Sequence, residues 1–387
     1  MSTPEFDLII RAGRLFCSAT GLDGPGAVGI RGDRITASGS DVAGLARQTL
    51  DFPNDLLLPG LVDLHTHPAP SHWKYGIDPD RSMLSRGTTT ALSQGDAGPA
   101  TWPQYREAII EGSRTRVRLA INAALQGEAG DGPCFQRVDD VDVGACVAAI
   151  HEGGESIWGI AINLSVAGCP DADPREVLRR TLTAAERTER PLLYGLRRET
   201  TTWPFWSLSE QLHLLRPGDV VTYCFHPGVE DGAGCIVRDG HVADDVWAAR
   251  ERGILFDVGH GMASFDFGVA EAAIADGFLP DTISTDIYRR HLGSTPPHDL
   301  PRTISKLIAA GMSEADALAR ATALPANVLG LGDEVGTLAS GACADLAVLR
   351  WNASAGPLAD VAGATRPGGC WEPVLTVRAG AVVPLAR

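Results

Sequence analysis

Two histidines stand two residues apart in PGLVDLHTHPAP, at His65 and His67. On an extended strand that spacing puts both imidazoles on one face. Paired neutral imidazoles suit a borderline cation such as zinc, for which nitrogen ligands are favoured. The same two side chains also fit a strand end where each is satisfied by hydrogen bonds alone. Further groups able to do chemistry follow at Tyr223 and His226 in VVTYCFHPG, at His260 in VGHG and at Asp286 in ISTD. Glycines on both sides of His260 permit close backbone approach, as a ligand-lining loop requires. FHPG around His226 reads as readily as a plain turn, and Asp286 as the cap of a following helix.

Groups able to grip a substrate also cluster. Trp73, Trp102, Tyr194, Trp203, Phe205 and Trp206 follow or end strand-like runs, in a chain whose aromatic fraction is only 6%. Such clustering suits a pocket for a flat or apolar group, or loops anchored onto a rim. Arg197 and Arg198, with Arg289 and Arg290, carry the guanidinium fork that holds a carboxylate bidentately. In an arginine-rich chain a solvated rim is the default reading of such residues.

These side chains need a frame that brings distant segments together. Residues 5–57 alternate short apolar runs with Gly and Asp turns, and residues 335–387 do the same. That is strand–turn–strand punctuation without a helical period. Between them lie eight apolar runs, at 58–65, 87–94, 117–124, 156–163, 191–196, 219–225, 253–259 and 281–286. Runs apolar on both faces, separated by helical stretches such as REVLRRTLTAAERTER and DDVWAARERG, signal parallel strands covered by helices. The pattern predicts an α/β fold: a TIM (β/α)8 barrel over residues 58–334, with 1–57 and 335–387 joined in one small composite β domain. In such barrels the active site lies at the C-terminal ends of the strands, where His65, Tyr223 and Asp286 fall.

Composition removes whole classes of function. The formal net charge of −15 argues against a nucleic-acid or anionic-membrane partner, because the field repels phosphate. No stretch approaches the ~20 apolar residues of a membrane span. The opening MSTPEFDLIIRAGRLF places acidic residues before a short apolar run, unlike a signal peptide. Eight cysteines without a CxxC pair read as the reduced thiols of a cytoplasmic protein. A small molecule is the expected partner, and a homo-oligomer is compatible with the sequence without being read from it.

PGLVDLHTH on the first run and RGTTT on the second resemble the amidohydrolase superfamily. ATALPANVLGLGDEVGTLASGACADLAVL resembles the point where that family leaves its barrel for a small β domain. The stretch 218–310, with VVTYCF, FDVGHGMASFDFGVAEAAIADGFLP and ISTD, resembles a dihydroorotase-like subgroup of deacetylases acting on acetylated small acids. The resemblance covers nearly the whole chain. It implies a metal ligated by His65, His67 and Asp286, a proton taken from the attacking water by Asp286, and His260 near the substrate. A carboxylate beside a cation-bound water is chemically able to accept that proton.

Several positions depart from the family. Its two-metal sites are bridged by a carboxylated lysine on the fourth strand, where Ala161 stands here. Lysine occurs only at Lys74 and Lys306, neither on a barrel run. A histidine expected on the fifth strand is missing from Tyr194-Gly195-Leu196, and Tyr223 replaces another on the sixth. A lysine-bridged pair of metals is therefore not expected. The surviving two histidines and one carboxylate suffice for a single catalytic metal with an open position. Tyr223 or His226 could add a ligand, and Asp96 and Ser93 are weaker candidates.

Two readings follow. In the first, one divalent metal (zinc, or else manganese or iron) serves a hydrolase of an amide, cyclic amide or ester bond in a small aromatic or anionic molecule. Asp286, His260, His226 and Tyr223 are then the catalytic candidates, and Arg197, Arg198, Arg289, Trp203 and Trp206 the substrate-binding ones. In the second, the metal is weak or absent and His, Tyr and Asp acid–base chemistry drives cyclisation, elimination, decarboxylation or isomerisation. A binding protein without turnover fits least, because the histidine pair and Asp286 occur together.

Overall fold

The computed structural model describes residues 4–199, 205–229 and 234–385. Four strands open the chain, β1 (Phe6–Cys17), β2 (Leu22–Arg31), β3 (Arg34–Gly39) and β4 (Ala46–Pro59). Six more follow, β5 (Leu61–Thr66), β6 (Thr88–Gln94), β7 (Arg116–Asn122), β8 (Ile157–Asn163), β9 (Leu192–Gly195) and β10 (Val220–Thr222). A small hairpin, β11 (Val237–Arg238) and β12 (His241–Val242), precedes β13 (Leu255–Phe256). The last strands are β14 (Leu346–Asn352), the pair β15 (Leu358–Ala359) and β16 (Thr365–Arg366), then β17 (Cys370–Arg378) and β18 (Ala381–Val383).

Strands β5 to β10 and then β13 pair in chain order, each parallel to the next. Every residue of β5 and β6 is buried, as a parallel sheet covered by helices requires. The covering helices have readable causes. In Pro174–Thr188, Asp173 caps the first turn, Pro174 presets the first position, and Val177, Leu178, Thr181, Ala184 and Ala185 form the buried stripe. That cap contributes about 1 kcal/mol. The flanking β segments behave as expected too: a second sheet runs β18-β17-β14-β4-β1-β2-β3, drawn from both ends of the chain.

Two of the eight expected runs differ. The first, 58–65, divides at Gly60. Pro59 still pairs with Leu346 in the terminal sheet, while Leu61 begins the barrel. A Cβ at Gly60 would lie 2.1 Å from Thr89 Oγ1, so the crossing between sheets requires glycine there. The eighth run, 281–286, forms no regular ladder. Isolated bridges join Thr282 to Asp257 and Ile287 to Thr66, and these close the ring. Side chains supply the missing bonds. Asp63 accepts from Thr285 N at 3.0 Å and Thr285 Oγ1 at 2.6 Å. Asp257 accepts from the hydroxyls of Thr222, Thr282 and Ser284. Pinned in this way, the backbone is free to turn at Asp286.

Candidate metal centre and substrate cleft

His65 lies on β5 and His67 just beyond it, both buried. Asp286 reaches them from the closing segment, where its N–H donates to the His65 carbonyl at 2.8 Å. One ligand atom from each of the three side chains lies within 4.8 Å of the other two, the one such cluster found among the described residues. His65 Nε2 and His67 Nε2 stand 3.4 and 3.2 Å from Asp286 Oδ1.

Hydrogen bonds on the far side of each ring decide which nitrogen faces inward. Asp96 accepts from His67 Nδ1–H at 2.9 Å, and Ser93 donates to the other Asp96 oxygen at 2.6 Å. Thr222 gives its own proton to Asp257, so its oxygen accepts from His65 Nδ1–H at 2.7 Å. Assigned from this network, both Nε2 atoms turn lone pairs toward Asp286. Asp286 Oδ1 is buried without a hydrogen-bond partner among the described residues. Three lone-pair donors aimed at one buried point repel one another unless positive charge lies between them. The donor set therefore fits a divalent ion. Histidines oriented from behind by a carboxylate and a hydroxyl are also the usual support of a metal site.

The ionisation of the rings expresses the same demand. Burial opposes charge on both. At His67, Asp96 and Asp286 outweigh that opposition and push the pKa up to about 10. Without an ion, a proton on Nε2 therefore supplies the positive charge, and an ion would displace it to free the lone pair. At His65, burial prevails over Asp286, and neighbouring His67 adds to it, giving about 4. Local strain accompanies the geometry: Asp286 (φ 48°) and Tyr223 (φ 67°) both adopt left-handed backbone. Each such residue costs roughly 1–3 kcal/mol and persists only where its surroundings enforce it.

A cleft of about 210 Å³ is lined by His67, Asp286 and two cation–aromatic stacks. On one wall Lys74 Nζ lies 4.9 Å from the centre of Tyr75, whose ring is 5.0 Å from His67. On the other, the Arg198 guanidinium lies 5.1 Å from the centre of Tyr223, whose ring is 5.0 Å from His65. Glu128 stands 3.7 Å from Lys74. Arg198 donates to Ser264 Oγ at 3.1 Å, and no ion pair to a described carboxylate engages it.

Of the expected site residues, His65, His67, Asp286, Tyr223 and Arg198 come together. The Tyr223 hydroxyl is 3.4 Å from His65 Nε2, and burial raises its pKa well above the phenolic value, so it stays protonated. The others are engaged elsewhere. His226 Nδ1 accepts from Gly228 N–H at 2.8 Å, and burial with Arg198 lowers its pKa to about 3. His260 uses both ring nitrogens away from the cleft, on Gly261 O and Lys306 Nζ. Arg197 is buried and donates to the carbonyls of Leu164 and Cys169. Arg289 donates to the carbonyls of Ser71 and Lys74. Trp206 is buried beneath Arg175, and Trp203 lies outside the described residues. Trp73, Trp102 and Tyr194 belong to the core rather than the cleft.

Several cleft residues escaped the sequence reading: Lys74, Tyr75, Glu128, Asn163 and Tyr288. On β8 the cleft position is Asn163, two residues beyond Ala161 on the same face, while Ala161 is buried below. A Cβ at Gly195 would lie 3.1 Å from Asn163 Cγ, so Asn163 crowds the neighbouring strand. The rarity of lysine was the one available signal for Lys74; Glu128 and Tyr288 sit in loops with no pattern to mark them.

The pattern of the amidohydrolase family matches residues 264–380. A deacetylase of Agrobacterium fabrum is 33% identical over 315 residues, which cover 79% of this chain and 74% of that protein. A deacetylase of Enterococcus faecalis is 29% identical over 94% of both chains. Among solved structures, a dihydroorotase superposes with a TM-score of 0.86 at 29% identity, covering 99% of this chain and 98% of that one. An adenine deaminase superposes with a TM-score of 0.87 at 26% identity, covering 98% and 99%. The chain belongs to the amidohydrolase family, among its deacetylase-like members.

Proposed function

We propose that this hydrolase of amide bonds removes an acetyl or similar small acyl group from a carboxylate-bearing substrate, with one divalent ion, zinc by preference, held by His65, His67 and Asp286. The reading is carried by the three lone pairs that converge on one buried point, one of them the unpartnered Asp286 Oδ1. A bound ion there would polarise the scissile carbonyl and acidify water. The chain's own groups supply the rest. Asp286 accepts a proton from the attacking water and returns it to the departing nitrogen. The protonated Tyr223 hydroxyl donates to the oxyanion that develops as the carbonyl turns tetrahedral. Arg198, held by Ser264 and stacked on Tyr223, receives the carboxylate, and Lys74 with Glu128 borders the opposite wall. Family membership disfavours the non-hydrolytic alternative.

The test is a panel of N-acetylated amino acids and their methyl esters, assayed with and without a chelator. Release of acetate from the free acids, lost on chelation and restored by zinc, is the expected result. Equal turnover of acids and esters would remove Arg198 from its role. A panel left untouched, by protein that carries its metal, would overturn the substrate class.

A further inference from the structure

Lys306 is buried in the helix Leu300–Ala309, which packs against the terminal sheet through the bond from Trp371 N to Ser305 Oγ. Among the described residues no carboxylate lies within ion-pair distance of its ammonium. A buried cation whose carboxylates, Asp360 and Asp299, act only from beyond ion-pair range is costly, and its hydrogen bond is to His260 Nε2 at 2.8 Å. Burial also draws the Lys306 pKa down to about 8. Its proton fixes the ring in one tautomer: Nε2 accepts from Lys306, and Nδ1–H donates to Gly261 O at 2.8 Å. Phe265 stacks on the ring at 4.8 Å, 14° from parallel.

His260 is thereby held at the centre of a glycine turn wedged between both halves of the metal-binding set. Gly261 (φ 49°) lies against Asp286: a Cβ there would fall 2.4 Å from Asp286 Oδ2. Gly259 (φ 51°) lies against Thr222, the partner of His65 Nδ1, and a Cβ there would fall 2.3 Å from its hydroxyl. Three bonds tie the turn to the closing segment: Gly259 N to Ser284 Oγ, His260 N to Ser284 O and Gly261 N to Thr285 O.

We propose that Lys306 and His260 are positioning residues, a pair that sets the Gly259–Gly261 turn and through it holds Asp286 and the Thr222 support of His65 in place for the metal. His260 then acts on the centre from behind and does not touch substrate. The inference rests on the metal reading above and adds a requirement outside the cleft.

The test uses the full chain. Lys306→Met removes the ammonium at nearly constant volume, and His260→Phe keeps the stack on Phe265 while removing both polar contacts. Zinc dissociation constants come from competition with a chromogenic chelator, and cobalt(II)-loaded protein gives a visible absorption spectrum that reports the ligand field. Each variant should bind zinc about 10–100-fold more weakly, as loss of a ligand's supporting contacts does. The cobalt band should shift, Lys306→Arg should recover part of the loss, and the double variant should be no worse than either single one. Variants that bind zinc like the wild type would overturn the proposal and leave the metal reading intact. A wild type that takes up no zinc would defeat both. Failure of both variants to fold would assign the pair to core packing and overturn the proposal as well.

Discussion

Around the barrel mouth, β5 with the residue just beyond it and the segment 281–287 supply three converging ligand atoms, while β8 and β9 end in Asn163 and Gly195 and Tyr223 follows β10. The first side is supported in depth. Asp96 and Ser93 stand behind His67, Thr222 and Asp257 behind His65, and Gly261 leaves the room that Asp286 needs. On the second side the Tyr223 hydroxyl comes within 3.4 Å of His65 Nε2 but keeps its proton, and Asn163 turns its oxygen to Ser165 N. On the one-ion reading proposed above, the difference is what a barrel keeps when a single ion does the work of two. The retained half preserves three ligands and most of their supports, with Thr222 reaching His65 from β10. The released half becomes a wall of neutral and cationic groups available to a substrate.

Breaking the equipped side should have the largest effect. Asp286→Asn removes a ligand charge and the proton acceptor together, and turnover should fall by roughly 10²–10⁴-fold. Steady-state kinetics at saturating substrate would check this; a variant with unimpaired kcat would dismiss Asp286 from catalysis. Asp96→Ala and Thr222→Val leave every ligand in place and remove only what orients them. Metal affinity should drop by about 10–100-fold in each. Asn163→Ala, on the opposite side, should change affinity by less than about twofold, since Asn163 touches neither a ligand nor a ligand's support. Equal losses from Asp96→Ala and Asn163→Ala would erase the distinction between the two halves.

The first half of this picture was legible in the chain, because a histidine pair on a strand has a period that sequence displays. Eight apolar runs likewise announced the barrel. What the sequence could not display was the eighth strand's irregular form, which depends on Asp63 and Asp257 reaching across from other strands. Arg197 and Arg198 looked equivalent as neighbours. Only the fold buries one against the Leu164 and Cys169 carbonyls and turns the other into the cleft. Trp73, Trp102 and Trp206 misled for a related reason: a large ring after a strand packs into whichever side offers apolar area, and here the core did. The support behind the centre, from Lys306 through His260 to Gly261, joins segments far apart in sequence and carries no local signature.

Two smaller effects sharpen the comparison. Tyr223→His returns an imidazole to the released side, yet Asn163 and Gly195 provide neither a bridging carboxylate nor a second nitrogen. Metal content should therefore remain about one ion per chain. A rise toward about two, seen by mass spectrometry of the metal, would mean the released half still completes a site. The smallest effect concerns His226, whose pKa burial lowers to about 3. The unfolded chain takes up that proton near pH 6.5 while the folded one resists, so stability drains as pH falls from 6.5 toward 3. In chelator-treated protein, His226→Gln should lose less stability than the wild type across that window. Parallel melting curves would show that His226 is accessible to protons when folded.

The central claim is that His65, His67 and Asp286 hold one catalytic ion. Its most direct test is the metal content of protein purified without an affinity tag or chelator, beside His67→Ala prepared identically. The wild type should carry about one equivalent of a divalent metal and the variant almost none. A folded wild type with under about a tenth of an equivalent, still below that after incubation with zinc, would contradict the claim.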